Sequence, residues 1–241
     1  QIFEELDKRT DIDKSTLIDF EWLYLPILDS YGTRRKPKAL EEELANNPEF
    51  FIEVLKWIYI PKDKALLDKE REDISDEAFQ HRAKQAYHLL HSWKKIPGMK
   101  EDNSIDEKEL KNWVTKTRFL AENVSILEVA DAEIGKVLAQ YPENTPLWPE
   151  EKIFQLIEEI NTDSLKQNYS SALFNKRSLS SRGSFEGGNI EREKAAYFEK
   201  LENDCKNKYP NVTEIFKNMK QGYLLDAQRM DENAERKKLE Y

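Results

Sequence analysis

The chain has 241 residues, 38 of them Lys or Arg and 47 Asp or Glu, with a net charge of -9 and 39% apolar residues. That is enough chain to bury a core without disulfides or metals. It is too acidic for a broad nucleic-acid surface, which needs a concentrated positive field.

The charge is evenly spread, with 21 basic and 25 acidic side chains in residues 1–120 and 17 and 22 in residues 121–241. No apolar run approaches the ~18 residues of a membrane span, and the first residues lack a signal-peptide pattern. One cysteine, Cys205, cannot form an internal disulfide. A cytoplasmic protein is the expectation. Gln1 in place of a start methionine and the polar stretch 231–241 read as cut points, so a fragment of a larger protein is expected.

Strand-like alternation is nowhere sustained, and helix-forming residues dominate. The expectation is an all-α fold of stacked helical hairpins, solenoid-like or an irregular bundle, with eight to ten helices and no sheet. Residues 1–100 form an N-terminal helical layer and 101–241 a C-terminal one, within one continuous helical domain.

The first helix is expected over 14–31. Leu17, Phe20, Tyr24, Ile27, Leu28 and Tyr31 share one face, and Ile18, Trp22 and Leu25 form a second apolar stripe. A helix that is apolar on two sides is sandwiched or meets a partner, and the second stripe is the expected interface. Pro26 predicts a kink or break.

Pro37 and Pro48 suit first helical turns, with Asn47 as an N-cap. The helix from Pro48 carries Phe51, Val54, Leu55 and Trp57 and stops at Pro61. The next is expected over 76–94, with Phe79, Ala83, Ala86, Leu90 and Trp93 as its core stripe. Asp106 and Glu109 have capping-box spacing, and Ile105 and Leu110 that of a hydrophobic staple, so a helix starts near Glu107. Its buried stripe reads Leu110, Trp113, Val114, Thr117, Leu120 and Ala121.

Further helices are expected over 129–140, 149–161, 163–175 and 189–209, the last capped by Asn189. A long final helix begins near Asn211. Two endings, Trp57-x-x-Ile60-Pro61 and Trp93-x-x-Ile96-Pro97, lie 36 residues apart. That period suits a helical-hairpin repeat, or coincident helix stops.

Three histidines, His81, His88 and His91, lie on one helix, opposite its core stripe. His81 and His91 are about 15 Å apart at ~1.5 Å per residue, so one ion does not bridge them. A solvated or interface face is the better reading, and no metal is expected. Gly98 to Glu109 resembles a damaged calcium loop: Asp102, Ile105, Asp106 and Glu109 match, but Gly98, Lys100 and Asn103 stand where ligands and the turn glycine belong. A capping box and staple explain the same residues. No catalytic constellation is evident, so no catalytic residue, cofactor or enzyme activity is expected.

The loop 174–189 departs from the rest. It holds Gly183, Gly187 and Gly188, and carries Lys176, Arg177 and Arg182 against a single acid, Glu186. It leads into a helix N-terminus, where unpaired N–H groups and the dipole favour anions. Lys176, Arg177, Arg182, Gly187, Gly188 and Asn189 are therefore candidate anion- or partner-binding residues. The competing reading is a connector whose glycines serve turns.

This loop also carries a resemblance. Asn175-x-Arg177, Ser181-Arg182, Glu186-Gly187-Gly188 and Glu191-Arg192-Glu193 resemble a segment of large bacterial multidomain proteins of unassigned function, some similar to defence-type NTPases. The stretches 48–55 and 92–106 are similar as well, so the resemblance covers most of residues 45–235. It implies an all-helical, C-terminal, non-catalytic region, and no catalytic residue transfers.

The function expected is a non-catalytic protein-interaction or scaffold module of a larger bacterial protein. Its partner would be another protein or another domain of the same chain, not a membrane. The alternative is a sensor that binds an anion, nucleotide or nucleic acid at loop 174–189. Nucleic acid is not expected to bind outside that loop.

Overall fold

The computed structural model describes residues 5–6, 9, 11–28, 36–59, 74–142, 150–176, 183 and 186–239. Among them are ten helices and no sheet. The one β-bridge joins Met99 and Ile105. The helices are α1 (Lys14–Leu28), α2 (Lys38–Asn46), α3 (Pro48–Ile58), α4 (Asp76–Ser92), α5 (Glu107–Asn123), α6 (Leu127–Leu138), α7 (Glu151–Ile160), α8 (Asp163–Asn175), α9 (Asn189–Cys205) and α10 (Pro210–Leu239). No helix among the described residues is long and apolar enough to cross a membrane.

Helix starts follow local chemistry where the cap lies in the adjoining sequence. Asn47 Oδ1 accepts the Phe50 N–H at 3.2 Å, and Pro48 takes the first helical position. Asp106 Oδ1 accepts the Lys108 and Glu109 N–H groups at 3.1 and 3.2 Å. The return arm of the capping box is replaced: the Asp106 N–H donates to the Gly98 carbonyl at 2.8 Å. Pro37 stands one residue earlier than expected, in the cap position of α2. α1 runs through Pro26 and ends two residues later.

α3 is the centre of the N-terminal part, packed against α2, α4 and α5 and touching α6. Phe51 meets Trp93 and Trp113 at 5.6 and 5.1 Å between ring centroids, and those two indoles lie 6.0 Å apart. Trp113 Nε1 donates to the Leu44 carbonyl at 3.0 Å, which ties α5 to α2. The core stripe of α4 is Gln85, Ala86 and Leu89, with Leu90 only half-buried.

The two tryptophans of the W-x-x-I-P endings sit differently. Trp93 is core, whereas Trp57 is half-buried under the Arg82 guanidinium at 4.9 Å. Ile60 and Pro61 lie outside the described residues.

The C-terminal part is built on two close pairs, α6 with α8 and α9 with α10. In the first pair a Cβ on Gly135 would collide with the Leu165 carbonyl, so glycine permits the close approach. In the second, Phe198, Phe216 and Tyr223 form a run of ring contacts that Phe154 of α7 joins, at 5.6–5.9 Å. Asp131 is buried between α5, α6 and the turn before α8. It accepts from Arg118 Nε at 2.9 Å and from Thr162 Oγ1 at 3.0 Å. These partners offset part of the cost of burying the carboxylate, and removing either would leave it less compensated. One cluster of buried side chains runs from Leu25 to Tyr223 across both parts.

Candidate functional site

The expected interface on α1 is turned the other way. Asp13 Oδ1 starts the helix by accepting the Thr16 N–H at 2.8 Å. The inward face then carries Glu21, Leu25 and Leu28. Leu25 is 0% exposed, and Ile18 and Trp22 pack against the core. Gln85 Nε2 on α4 donates to the Trp22 carbonyl at 2.8 Å and fastens this side.

The apolar residues on the outer face are Phe20, Leu23, Tyr24 and Ile27, at 39%, 62%, 44% and 60% exposure. The sequence shows two stripes, but only the surface they pack against decides which is covered. Glu21 is part of the reason, because it lies on the inward side. Its Oε2 accepts the Leu40 N–H at 2.9 Å, in the first turn of α2.

Of the loop residues, Arg177 and Arg182 lie outside the described residues. Lys176 Nζ donates to the Tyr141 carbonyl at 2.6 Å. Asn189 is the first residue of α9 and makes no cap; Gly188 holds the cap position. The Gly188 N–H donates to Asp231 Oδ1 on α10 at 2.8 Å, and the Arg192 guanidinium pairs with the same carboxylate. The Gly188 N–H and Arg192 hold Asp231 below the usual carboxylate range.

A Cβ on Gly187 would meet the Asp231 carboxylate, and one on Gly188 would meet the Ala227 backbone. These two glycines therefore let the chain lie against α10. The place a free anion would take at this helix start holds an internal carboxylate, which a ligand would have to displace.

The histidines take part in ring contacts: His91 stacks on Tyr87 at 5.9 Å and 9°, and His88 meets Tyr87 edge-on at 6.0 Å. Among the described residues no three His, Cys, Asp or Glu side chains are grouped to hold a metal. In the calcium-like loop, Asp102 accepts the Ser104 N–H and hydroxyl at 2.9 and 2.6 Å. Asp106 is occupied by its cap and by Lys100 at 3.3 Å. Cys205 is buried, and burial with Asp204, Glu151 and Glu158 nearby pushes its thiol up to about 11.

A feature that sequence reasoning missed is a cleft of about 620 Å³ walled by the ends of α3 and α4 and by α6 and α8. At its base Glu133, 6% exposed, accepts from the Tyr59 phenol at 3.1 Å and from Lys136 Nζ at 2.6 Å. Burial, with the Glu133 charge adding to it, pushes the Tyr59 phenol up to about 12. Lys94, Lys176, His91 and Asn175 line the same space. The lining residues span positions 58 to 176, so no local pattern announces them. Of them Lys176, His91 and Asn175 stood out in the sequence, each for a different reason.

Comparison of the chain with family models, with curated proteins and with solved structures finds no match.

Proposed function

We propose that this chain is a non-catalytic helical interaction module that docks through the outer stripe of α1. One observation carries the reading. Phe20, Leu23, Tyr24 and Ile27 have the i, i+3, i+4, i+7 spacing of one helix face, and each is at least 39% exposed. Single exposed apolar residues are ordinary, but a contiguous apolar face marks contact sites. Of the other large exposed apolar side chains, Tyr87, Phe119 and Tyr197 come from separate helices, and Leu224, Leu225 and Leu239 share α10 without the i, i+3, i+4, i+7 spacing of one face.

The partner is a protein surface with an apolar groove, supplied by another chain or another domain, that receives an amphipathic helix. The resemblance to a segment of bacterial multidomain proteins is in keeping with this role. A thiol pushed up to about 11 keeps its proton at neutral pH and offers no thiolate nucleophile. A single buried thiol also suits a reducing cytoplasm.

Photo-crosslinking in the organism of origin tests the proposal. A photoreactive residue at position 23 is expected to give a discrete protein adduct, and one at Phe119 is not. Phe20→Asp with Ile27→Asp should abolish that adduct and move the melting temperature by no more than about 2 °C, since both positions are exposed. Equal labelling at the two positions, or an adduct that survives the double substitution, would sink the idea.

A further inference from the structure

A groove of about 460 Å³ runs between α8 and the N-terminal half of α10. One face of each helix lines it. α8 supplies Gln167, Ser170 and Ser171, at i, i+3 and i+4, and α10 supplies Glu214 and Asn218, at i and i+4. Residues so spaced stand one above another on the same side of a helix. The volume falls within the roughly 300–1,000 Å³ of small-molecule sites.

The back of the groove is held by its own bonds. Lys166 Nζ donates to Asn161 Oδ1 at 2.9 Å and to Asn211 Oδ1 at 3.4 Å, and it pairs with Asp163 at 3.5 Å. The Asn211 amide in turn donates to Glu158 Oε2 at 2.5 Å. The front row is uncommitted. Among the described residues, the side chains of Gln167, Ser170, Ser171, Glu214 and Asn218 make no hydrogen bond or ion pair within the chain. In the large cleft, by contrast, Glu133 is met by Tyr59 and Lys136, and at the start of α9 Asp231 fills the anion position.

Amides and carboxylates are planar groups with two polar atoms side by side, and a hydroxyl both donates and accepts. Such a row is complementary to the adjacent hydroxyls of a sugar ring, which also donate and accept. An anion meets two carboxylates here, Asp163 and Glu214, and an ammonium group, Lys166, that already has three acceptors. A neutral ligand makes no demand on the net charge around the groove.

We propose that this groove binds a neutral mono- or disaccharide, with Gln167 and Asn218 holding ring hydroxyls from the two helices and Ser170, Ser171 and Glu214 completing the bonds. Polar groups at a surface exchange bonds to water for bonds to ligand, so the net gain per bond is small and binding is weak, with a Kd of about 1 mM. The groove shares no residue with the outer stripe of α1, so either site can fail without the other.

The test is an NMR titration of the whole chain that follows the side-chain amide signals of Gln167 and Asn218. The probes are glucose, N-acetylglucosamine, maltose, cellobiose, lactose and sucrose, with glycerol and inorganic phosphate as comparison arms. At least one saccharide at about 10 mM is expected to shift both amide signals, and glycerol and phosphate to shift neither.

Gln167→Ala and Asn218→Ala, both at exposed positions, should each weaken binding about tenfold and hardly change the melting temperature. Gln228→Ala, further along α10, should leave binding unchanged. Silence of both amides towards all six saccharides, or undiminished binding by the two groove variants, would overturn the proposal. Equal shifts with glycerol would overturn it as well, because the arrangement of hydroxyls on a ring would then have no part.

Discussion

At the start of α5 the cap belongs to the adjoining sequence: Asp106 accepts the N–H groups two and three residues ahead of it. At the start of α9 the corresponding residue is Gly188, and its N–H donates to Asp231, 43 residues further along the chain. Both arrangements place a carboxylate where free N–H groups and the helix dipole favour it.

α1, α3, α4 and α7 resemble α5, with Asp13, Asn47, Ser75 and Glu150 as nearby caps. α2 and α10 resemble α9. Glu21 accepts the Leu40 N–H at 2.9 Å. Glu158 accepts the Val212 N–H at 3.0 Å and the Asn211 side-chain amide at 2.5 Å. The acid excess of this chain is therefore partly internal. Three of its carboxylates hold remote helix starts in place and couple local helix formation to packing.

The comparison is tested most severely at Glu21. Its carboxylate is 0% exposed, so Glu21→Ala leaves the Leu40 N–H buried without its acceptor. The expected loss is about 3 kcal/mol by urea unfolding, or about 8 °C in melting temperature. A loss below about 1 kcal/mol would show that something else holds the start of α2. Glu158→Ala removes two bonds at the start of α10 from a half-buried position and should cost about 1–2 kcal/mol. Hydrogen exchange should then quicken first in residues 211–213; uniform exchange along α10 would contradict this.

Glu41 sharpens the comparison by pH. Burial is the main cause that pushes its carboxyl up to about 7, with the Glu21 charge adding to it and Lys36, Lys94 and Lys95 opposing. A raised carboxyl favours the folded state below the unfolded value, near 4.5, and that contribution is lost as pH rises through about 7. Glu41→Gln is thus expected to raise the melting temperature by about 2–3 °C at pH 8 and by little at pH 4.5. A pH-independent difference would remove Glu41 as its source.

Asp106→Ala is expected to lower the melting temperature by about 3 °C, and Asp231→Ala has the smallest effect, a fall of about 1–2 °C. Backbone N–H donors come first in lowering both carboxyls, from Glu109 and Gly188 respectively. Both contributions therefore stand at neutral pH and are lost as pH falls through the lowered folded values. The Asp231 effect should shrink in high salt, because its Arg192 pair is exposed. An Asp231→Ala fall larger than that of Asp106→Ala would reverse the order and make the remote cap the stronger one.

Much of the fold was legible because it depends on near neighbours in sequence. The Asn47-Pro48 start and the Asp106 cap stand as read, and of the expected α5 stripe Leu110, Trp113, Val114, Thr117 and Ala121 are buried while Leu120 is half-buried. The site was far less legible. The loop 174–189 was conspicuous for its glycines and cations, yet Gly187 and Gly188 are matched to the surface of α10, which lies about 40 residues away. The cleft takes one i, i+3, i+4, i+7 face each from α6 and α8, of mixed polar and apolar residues, and only packing brings those faces together with the ends of α3 and α4.

The two stripes of α1 mark the boundary between what the sequence alone determined and what tertiary structure decided. Periodicity placed Phe20, Tyr24 and Ile27 on one side and Ile18, Trp22 and Leu25 on the other, because side-chain direction follows from helix geometry, but it set Leu28 with the first stripe, whereas Leu28 is buried beside Leu25. Composition likewise determined that the chain is helical and acidic. Which stripe enters the core was decided by the tertiary structure. Burial is a property of two surfaces, and the Glu21 bond to Leu40 and the Gln85 bond to Trp22 both join α1 to residues on other helices. The same reason governs the helix starts: a cap two or three residues away is written in the local chain, and one from a packed neighbour exists only once the helices have met.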